Sequence, residues 1–195
     1  MIAAVIPSRY SPPELGPLVA RLAADGVLVV VLPSHEYGHA IYRMWNAGVA
    51  LARAAGATEI AVLNDDVTLP PGALPFLARA LRSEDGIGVV YPDVTWDGEM
   101  PQHVSLKATE GTWGAGGMTG FAFMFRAEID VPFDEGFGWW YGDDAFERAV
   151  RAQGWRVCRV NGVGVRHVPN GSATKDWDRI APLIAADRER WEGAA

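Results

Sequence analysis

Val62-Leu63-Asn64-Asp65-Asp66-Val67-Thr68-Leu69-Pro70-Pro71-Gly72 runs from a buried strand straight into an amide and two adjacent carboxylates, then into helix-start prolines. In an open α/β sheet, ligands bind at the C-terminal ends of the strands. Two neighbouring acids there repel each other, and a divalent cation with hard oxygen ligands relieves that repulsion. The plainer reading is that Asp65 and Asp66 cap the helix opening near Pro70, because Asp is common at strand-to-helix turns.

The same grammar repeats on both sides of this stretch. Ile2–Ile6 is an apolar strand ended by Pro7, and Pro12-Pro13-Glu14 opens a helix with Leu15, Leu18, Val19 and Leu22 on one face, stopped by Gly26. Val27–Leu32 is a second strand, His39–Ala55 a second helix, Glu59–Leu63 a third strand, Pro71–Ser83 a third helix and Ile87–Tyr91 a fourth strand. Such βαβαβαβ alternation with short connections predicts an α/β fold with a mostly parallel central sheet flanked by helices. The second half is less regular. It offers a hairpin turn at Asp97-Gly98 after Val94–Trp96, a glycine-rich loop over Thr112–Gly120 and a strand at Phe121–Phe125. A helix over Asp143–Gln153, strands at Arg156–Val160 and Gly164–His167, and an amphipathic helix from Lys175 to Trp191 follow.

Composition narrows the function classes. With 195 residues, the chain is most simply one domain with a proper core. Its net charge of −7 opposes a general nucleic-acid or anionic-membrane binder, which needs a cationic surface. A single cysteine, Cys158, excludes an intrachain disulfide framework and a zinc-cysteine site. The longest apolar run, Val27 to Leu32, is too short to span a bilayer, and the opening residues read as a strand rather than a signal peptide. A cytoplasmic, soluble protein is the expectation.

Four further features carry chemistry. His35-Glu36-Tyr37-Gly38-His39 matches the HExxH pattern of zinc proteases, which needs both histidines on one helical face. Here it follows a strand and contains Gly38, so a loop and helix start are expected instead. Gly114-Ala115-Gly116-Gly117-Met118-Thr119-Gly120 is not GxGxxG and reads as a loop near a site. Trp139-Trp140-Tyr141-Gly142-Asp143-Asp144 joins three large rings to two carboxylates, either as core plus helix cap or as a sugar-stacking platform beside a general base. Apolar rings push a nearby carboxylate's pKa upward. His167, at a strand end, is a candidate third metal ligand.

Taken in order, Ala4-Val5-Ile6-Pro7-Ser8-Arg9, Trp45-Asn46-Ala47-Gly48, Leu63-Asn64-Asp65-Asp66-Val67, Phe133-Asp134-Glu135, Tyr141-Gly142-Asp143-Asp144 with Gly154-Trp155, and His167 resemble the family 2-type GT-A glycosyltransferases, over residues 2 to about 172. The resemblance implies a single Rossmann-like GT-A domain over 1–195. Its parts would be a nucleotide-sugar-binding half at 1–92, an acceptor and catalytic half at 93–172 and a C-terminal helix at 173–195. It also implies a nucleotide-diphosphate sugar as donor and a divalent metal, Mn²⁺ or Mg²⁺. Asn64-Asp65-Asp66 would be the DxD element, with Asp66 on the metal, Asn64 and Asp65 positioning it, and His167 helping to hold metal and diphosphate. Pro7, Ser8 and Arg9 would lie beside the nucleoside, and Asn46 with them. Glu36 would substitute for the Asp that usually reads the base. Asp144, or failing that Asp143, would be the catalytic base.

The implied reaction is metal-dependent, inverting transfer of a sugar to an acceptor hydroxyl. A metal neutralises the departing diphosphate, and a carboxylate opposite takes the acceptor proton. Three alternatives stay open at this point. One is a nucleotidyltransferase, for which Pro7-Ser8-Arg9-Tyr10-Ser11-Pro12 is a poor phosphate loop. The others are a non-catalytic nucleotide-sugar-binding module and the HExxH metalloprotease. Donor sugar, acceptor class (a nucleic acid included) and homo-oligomer formation are not readable from the residues.

Overall fold

Alternating side chains of the strands fill two separate cores, one on each face of a seven-stranded sheet, as the period-2 geometry of a strand requires. The computed structural model describes residues 1–93, 100–109, 117–167 and 176–193. The chain begins β1 (Ile2–Ser8), α1 (Leu15–Ala24), β2 (Leu28–Pro33), α2 (Ile41–Ala54), β3 (Glu59–Leu63), β4 (Val67–Thr68), α3 (Ala73–Arg82) and β5 (Ile87–Asp93). It continues with β6 (Leu106–Ala108), β7 (Ala122–Arg126), α4 (Gly142–Ala152), β8 (Arg156–Gly164), β9 (Arg166–His167) and α5 (Trp177–Gly193).

The sheet order is β2-β1-β3-β7-β5-β8-β6. Strands β1, β2, β3, β5 and β8 run one way, and β7 and β6 run against them. The parallel front half follows the hydrophobic pattern. The insertion of β7 between β3 and β5 does not, because strand direction leaves no trace in a short apolar run. Ala4, Ile6, Ala61, Leu63, Ala122 and Met124 meet Leu18 and Leu22 of α1 and Leu74, Leu77 and Leu81 of α3. Their neighbours Ala3, Val5, Ile60, Val62, Phe123 and Phe125 meet Trp45 and Val49 of α2 and Phe146 and Val150 of α4. Truncating a buried anchor such as Leu77 to Ala costs about 2–5 kcal/mol.

From β1 the chain turns to β2 on one side and then crosses to β3 on the other, so the crevice between β1 and β3 is a topological switch point. Both strands end there, β1 at Ser8 and β3 at Leu63. A second, two-residue ribbon pairs Val67 of β4 with His167 of β9, which folds the end of the chain's last strand back onto the acidic stretch. The expected hairpin at Asp97-Gly98 with Val94–Trp96, Thr112 to Gly116 of the glycine-rich loop, and Lys175 lie outside the described residues. No helix among the described residues is long and apolar enough to cross a membrane.

Candidate active site

A cleft of about 470 Å³ opens at the C-terminal ends of β1 and β3. Pro7, Arg9, Asn64, Asp65, Asp66, Asp143, Asp144 and His167 all line it, so residues more than a hundred positions apart meet around one space.

The first wall hangs on strand ends. Ser8 Oγ donates to Asp65 Oδ2 at 2.7 Å and accepts from the Ser11 N–H at 3.2 Å, tying β1 to β3 across the crevice. Asp65 is buried, and burial raises its pKa against the opposing pull of the Ser8 hydrogen bond. The Asn64 N–H donates to the Phe121 carbonyl at 2.9 Å, and the Phe121 ring stacks on His167 with centroids 4.5 Å apart and planes 8° apart. His167 Nε2 lies 3.2 Å from Asn64 Nδ2 and 3.2 Å from Asp66 Oδ1. If that nitrogen accepts from the Asn64 amide, it carries no proton to donate to Asp66. Asp66 Oδ1 is correspondingly buried without a hydrogen-bond partner among the described residues.

A carboxylate oxygen and an imidazole nitrogen at this distance can pair directly, and the same two groups could also ligate a cation beside them. The donor set, hard oxygen plus imidazole, suits Mn²⁺ or Mg²⁺. Among the described residues no three His, Cys, Asp or Glu side chains gather into one cluster, so such an ion would take its remaining ligands from water and phosphate oxygens. Arg9 adds to the unmet polarity. It pairs with Asp176, yet among the described residues its Nε and Nη1 are buried and unpartnered, as is Trp45 Nε1. Buried donors left unpaired cost about 1–3 kcal/mol each, which makes this wall receptive to a polar ligand.

The second wall carries the rings and the base candidates. Trp139, Trp140 and Tyr141 line the cleft, with Trp140 42% exposed. Tyr141 sits at φ 65°, a left-handed conformation that is uncommon for a non-glycine residue. It is held there from beneath: the Tyr42 hydroxyl donates to the Trp139 carbonyl at 3.1 Å and accepts from the Gly142 N–H at 3.0 Å. Any Cβ at position 142 would overlap the Tyr42 ring, which explains the glycine. Helix α4 then starts, presenting Asp143 and Asp144 in its first turn. The Asp143 pKa is pushed up to about 7, chiefly by desolvation and then by the adjacent Asp144 charge, with backbone hydrogen bonds opposing. Gly120 abuts the Asp143 carboxylate so closely that a methyl group there would overlap it. Glu147, one turn further and fully buried, accepts from the Met118 N–H at 2.8 Å and pairs with Arg151, fixing the loop that carries Gly120.

No protein-family model matches this sequence, and no curated protein matches it. Solved structures do. The glucosyl-3-phosphoglycerate synthase of Mycobacterium tuberculosis, in complex with Mn²⁺, uridine diphosphate and phosphoglyceric acid, superposes with TM-score 0.60 at 13% identity, covering 96% of this chain and 78% of that one. The chain has a GT-A fold. Residues 1–349 of S. aureus TarS match with TM-score 0.58 at 12% identity, covering 84% of this chain and 59% of TarS 1–349. A197 from STIV matches with TM-score 0.57 at 14% identity, covering 86% and 85%.

Three expected residues do not line the cleft: Ser8 is buried behind it against Asp65, and Glu36 and Asn46 stand elsewhere. Glu36 is exposed on a 3-10 turn at Ser34–Tyr37 and does not line the cleft. Ser34 and His39 face the cleft instead, joined at 2.8 Å between Ser34 Oγ and His39 Nδ1. The same turn removes the HExxH geometry, because Gly38 and His39 are both left-handed at φ 63° and the two histidines share no helical face. Asn46 lies outside the cleft lining. Its carboxamide is taken up by Phe133, donating to the carbonyl and accepting from the N–H, both at 2.9 Å, so it pins the segment leading to the aromatic wall. Tyr42 was not legible as a site residue, because nothing in its local sequence distinguishes it from core; Gly120 was legible only as part of a loop near a site.

Proposed function

We propose that this chain is a metal-dependent, inverting glycosyltransferase that moves a sugar from a nucleotide-diphosphate sugar to an acceptor hydroxyl. One observation carries the reading: Asn64, Asp65, Asp66 and His167 on one wall of a single cleft are met by Asp143 and Asp144 on another. Two acidic groups with separate environments suit two separate roles, one toward a cation and one toward a proton. The neighbours add support: the mycobacterial synthase is seen with Mn²⁺ and uridine diphosphate, and TarS 1–349 with UDP-GlcNAc.

Asp66 and His167 would hold the metal, which when bound supplies positive charge to the departing diphosphate. Arg9, with two donors unpartnered among the described residues, would serve the same anionic side. Asp143 takes the base role in preference to Asp144. Its pKa lies near neutrality, where a base is both deprotonated in useful amount and strong enough to accept a proton. The acceptor O–H gives its proton to Asp143 as the oxygen bonds to the anomeric carbon, and the bond from that carbon to the diphosphate oxygen breaks. Attack from the face opposite the leaving group inverts the configuration.

The test is turnover. The protein is incubated with UDP-, GDP- and dTDP-sugars and a panel of hydroxyl acceptors, with Mn²⁺ or with EDTA, and products are read by NMR. Metal-dependent formation of a glycoside with inverted anomeric configuration is expected. Retained configuration overturns the inverting mechanism, and transfer of a nucleotidyl group overturns the reaction class.

A further inference from the structure

Helix α5 places an acid where its apolar stripe should continue. Ile180 and Ile184 are buried, and the next position on that face, Asp187, is also buried, at 2% exposure. Its two oxygens accept three successive backbone N–H groups: Gly138 on Oδ1 at 2.7 Å, and Trp139 and Trp140 on Oδ2 at 2.7 and 2.8 Å. Charge-assisted bonds of this length are among the strong ones. The helix grips the same segment twice more. Trp191 stacks on the Tyr141 ring with centroids 5.6 Å apart and planes 14° apart, and Arg190 reaches Asp134 at 2.8 Å.

We infer that Asp187 is a positioning residue for the acceptor: it fixes the backbone of Gly138–Trp140 and thereby the aromatic wall against which the acceptor lies. This rests on the acceptor-side assignment proposed above. The wall has two supports of different origin. Tyr42 of α2 satisfies the Trp139 carbonyl and the Gly142 N–H, while Asp187 satisfies the three N–H groups that Tyr42 does not reach. Removing the Tyr42 hydroxyl disturbs the start of α4 and with it Asp143. Removing the Asp187 charge leaves α4 capped as before and frees the rings alone. Asp187 therefore acts on acceptor binding and orientation, leaving the donor wall and the Asp143 environment unchanged.

The experiment has two arms on the full chain. In the first, amide hydrogen exchange is measured on wild type and Asp187→Asn. Gly138, Trp139 and Trp140 are expected to be protected in wild type and to lose protection in the variant, while β1 and β3 keep theirs. Free exchange of these amides in wild type overturns the inference and needs no variant to fold. In the second arm, using a donor and acceptor that wild type turns over, Asp187→Asn is expected to lower kcat/KM for the acceptor by about 10²-fold, the order that a roughly 1 Å misplacement produces. The donor KM and the neutral inflection of the pH profile stay unchanged. Equal loss on donor and acceptor marks a merely structural role and overturns it. Absence of any transfer by wild type would instead count against the proposed function, with the exchange arm still deciding whether Asp187 holds the wall.

Discussion

The wall at Asn64–Asp66 hangs on strand ends, whereas the wall at Trp139–Asp144 hangs on side chains reaching in from other helices. In the first, the residues are fixed by the sheet: β1 and β3 pair in register, and Ser8 and Asp65 leave adjacent strands already within 2.7 Å. In the second, a left-handed Tyr141 and three amide groups have no ladder to join, and Tyr42 and Asp187 replace it. A wall made by the sheet changes only if the fold changes. One made by a few side chains can be retuned by single substitutions, which under the proposed function suits the side that must fit a particular acceptor.

That contrast orders the expected effects. Asp143→Asn removes the proposed base and is expected to lower kcat by about 10²–10⁴-fold. It should also abolish the rise in rate with pH through an apparent pKa of about 7, read in a pH–rate profile. Asp66→Ala strikes the other wall and is expected to cost about 10²–10³-fold, a loss of transition-state charge stabilisation. The matching signature is insensitivity of the residual rate to Mn²⁺. Gly120→Ala drives a methyl group into the Asp143 carboxylate and is expected to lower kcat by about tenfold, with the donor KM unchanged. A larger donor KM change would mean that Gly120 serves the first wall instead.

Smaller effects separate stability from chemistry. Ser8→Ala leaves a buried Asp65 oxygen without its donor and is expected to cost about 1–3 kcal/mol in denaturant unfolding. The Asp143 shift has its own sign. The folded state holds the proton up to about 7 and the unfolded chain releases it near 3.8, so this group's contribution to stability falls as pH rises between those values. Wild type should lose stability over that window, and Asp143→Asn should lose less. An identical pH dependence in both proteins would place the shift on another group.

The first wall was legible in the sequence because strand-end residues are contiguous there. Apolar strand, amide and two acids follow one another, and the sheet does the rest. The pairing of His167 with this stretch was legible only as a strand end; the two-residue ribbon with Val67 is a tertiary contact. Glu36 fell outside the cleft because the chain after β2 tightens into a 3-10 turn, and Asn46 because backbone groups at Phe133 claim its carboxamide. On the second wall the ring triplet and the acid pair stood out, but their supports did not. Tyr42 looks like core. Asp187 does carry a signal, an acid at the position after Ile180 and Ile184 on an apolar stripe, and it becomes meaningful only once three amides are found around it.

The most direct test of the central claim is thermal unfolding of wild type and Asp66→Ala with UDP, GDP and dTDP, each with Mn²⁺ and with EDTA. At a ligand concentration about 100-fold above Kd, binding stabilises by about 2.7 kcal/mol. For a chain of this size that raises Tm by roughly 5 °C or more. The expected result is a Tm rise with at least one nucleotide that requires Mn²⁺ and is lost in Asp66→Ala. A wild-type Tm that no nucleotide raises in the presence of Mn²⁺, or a rise that Asp66→Ala retains in full, would contradict it.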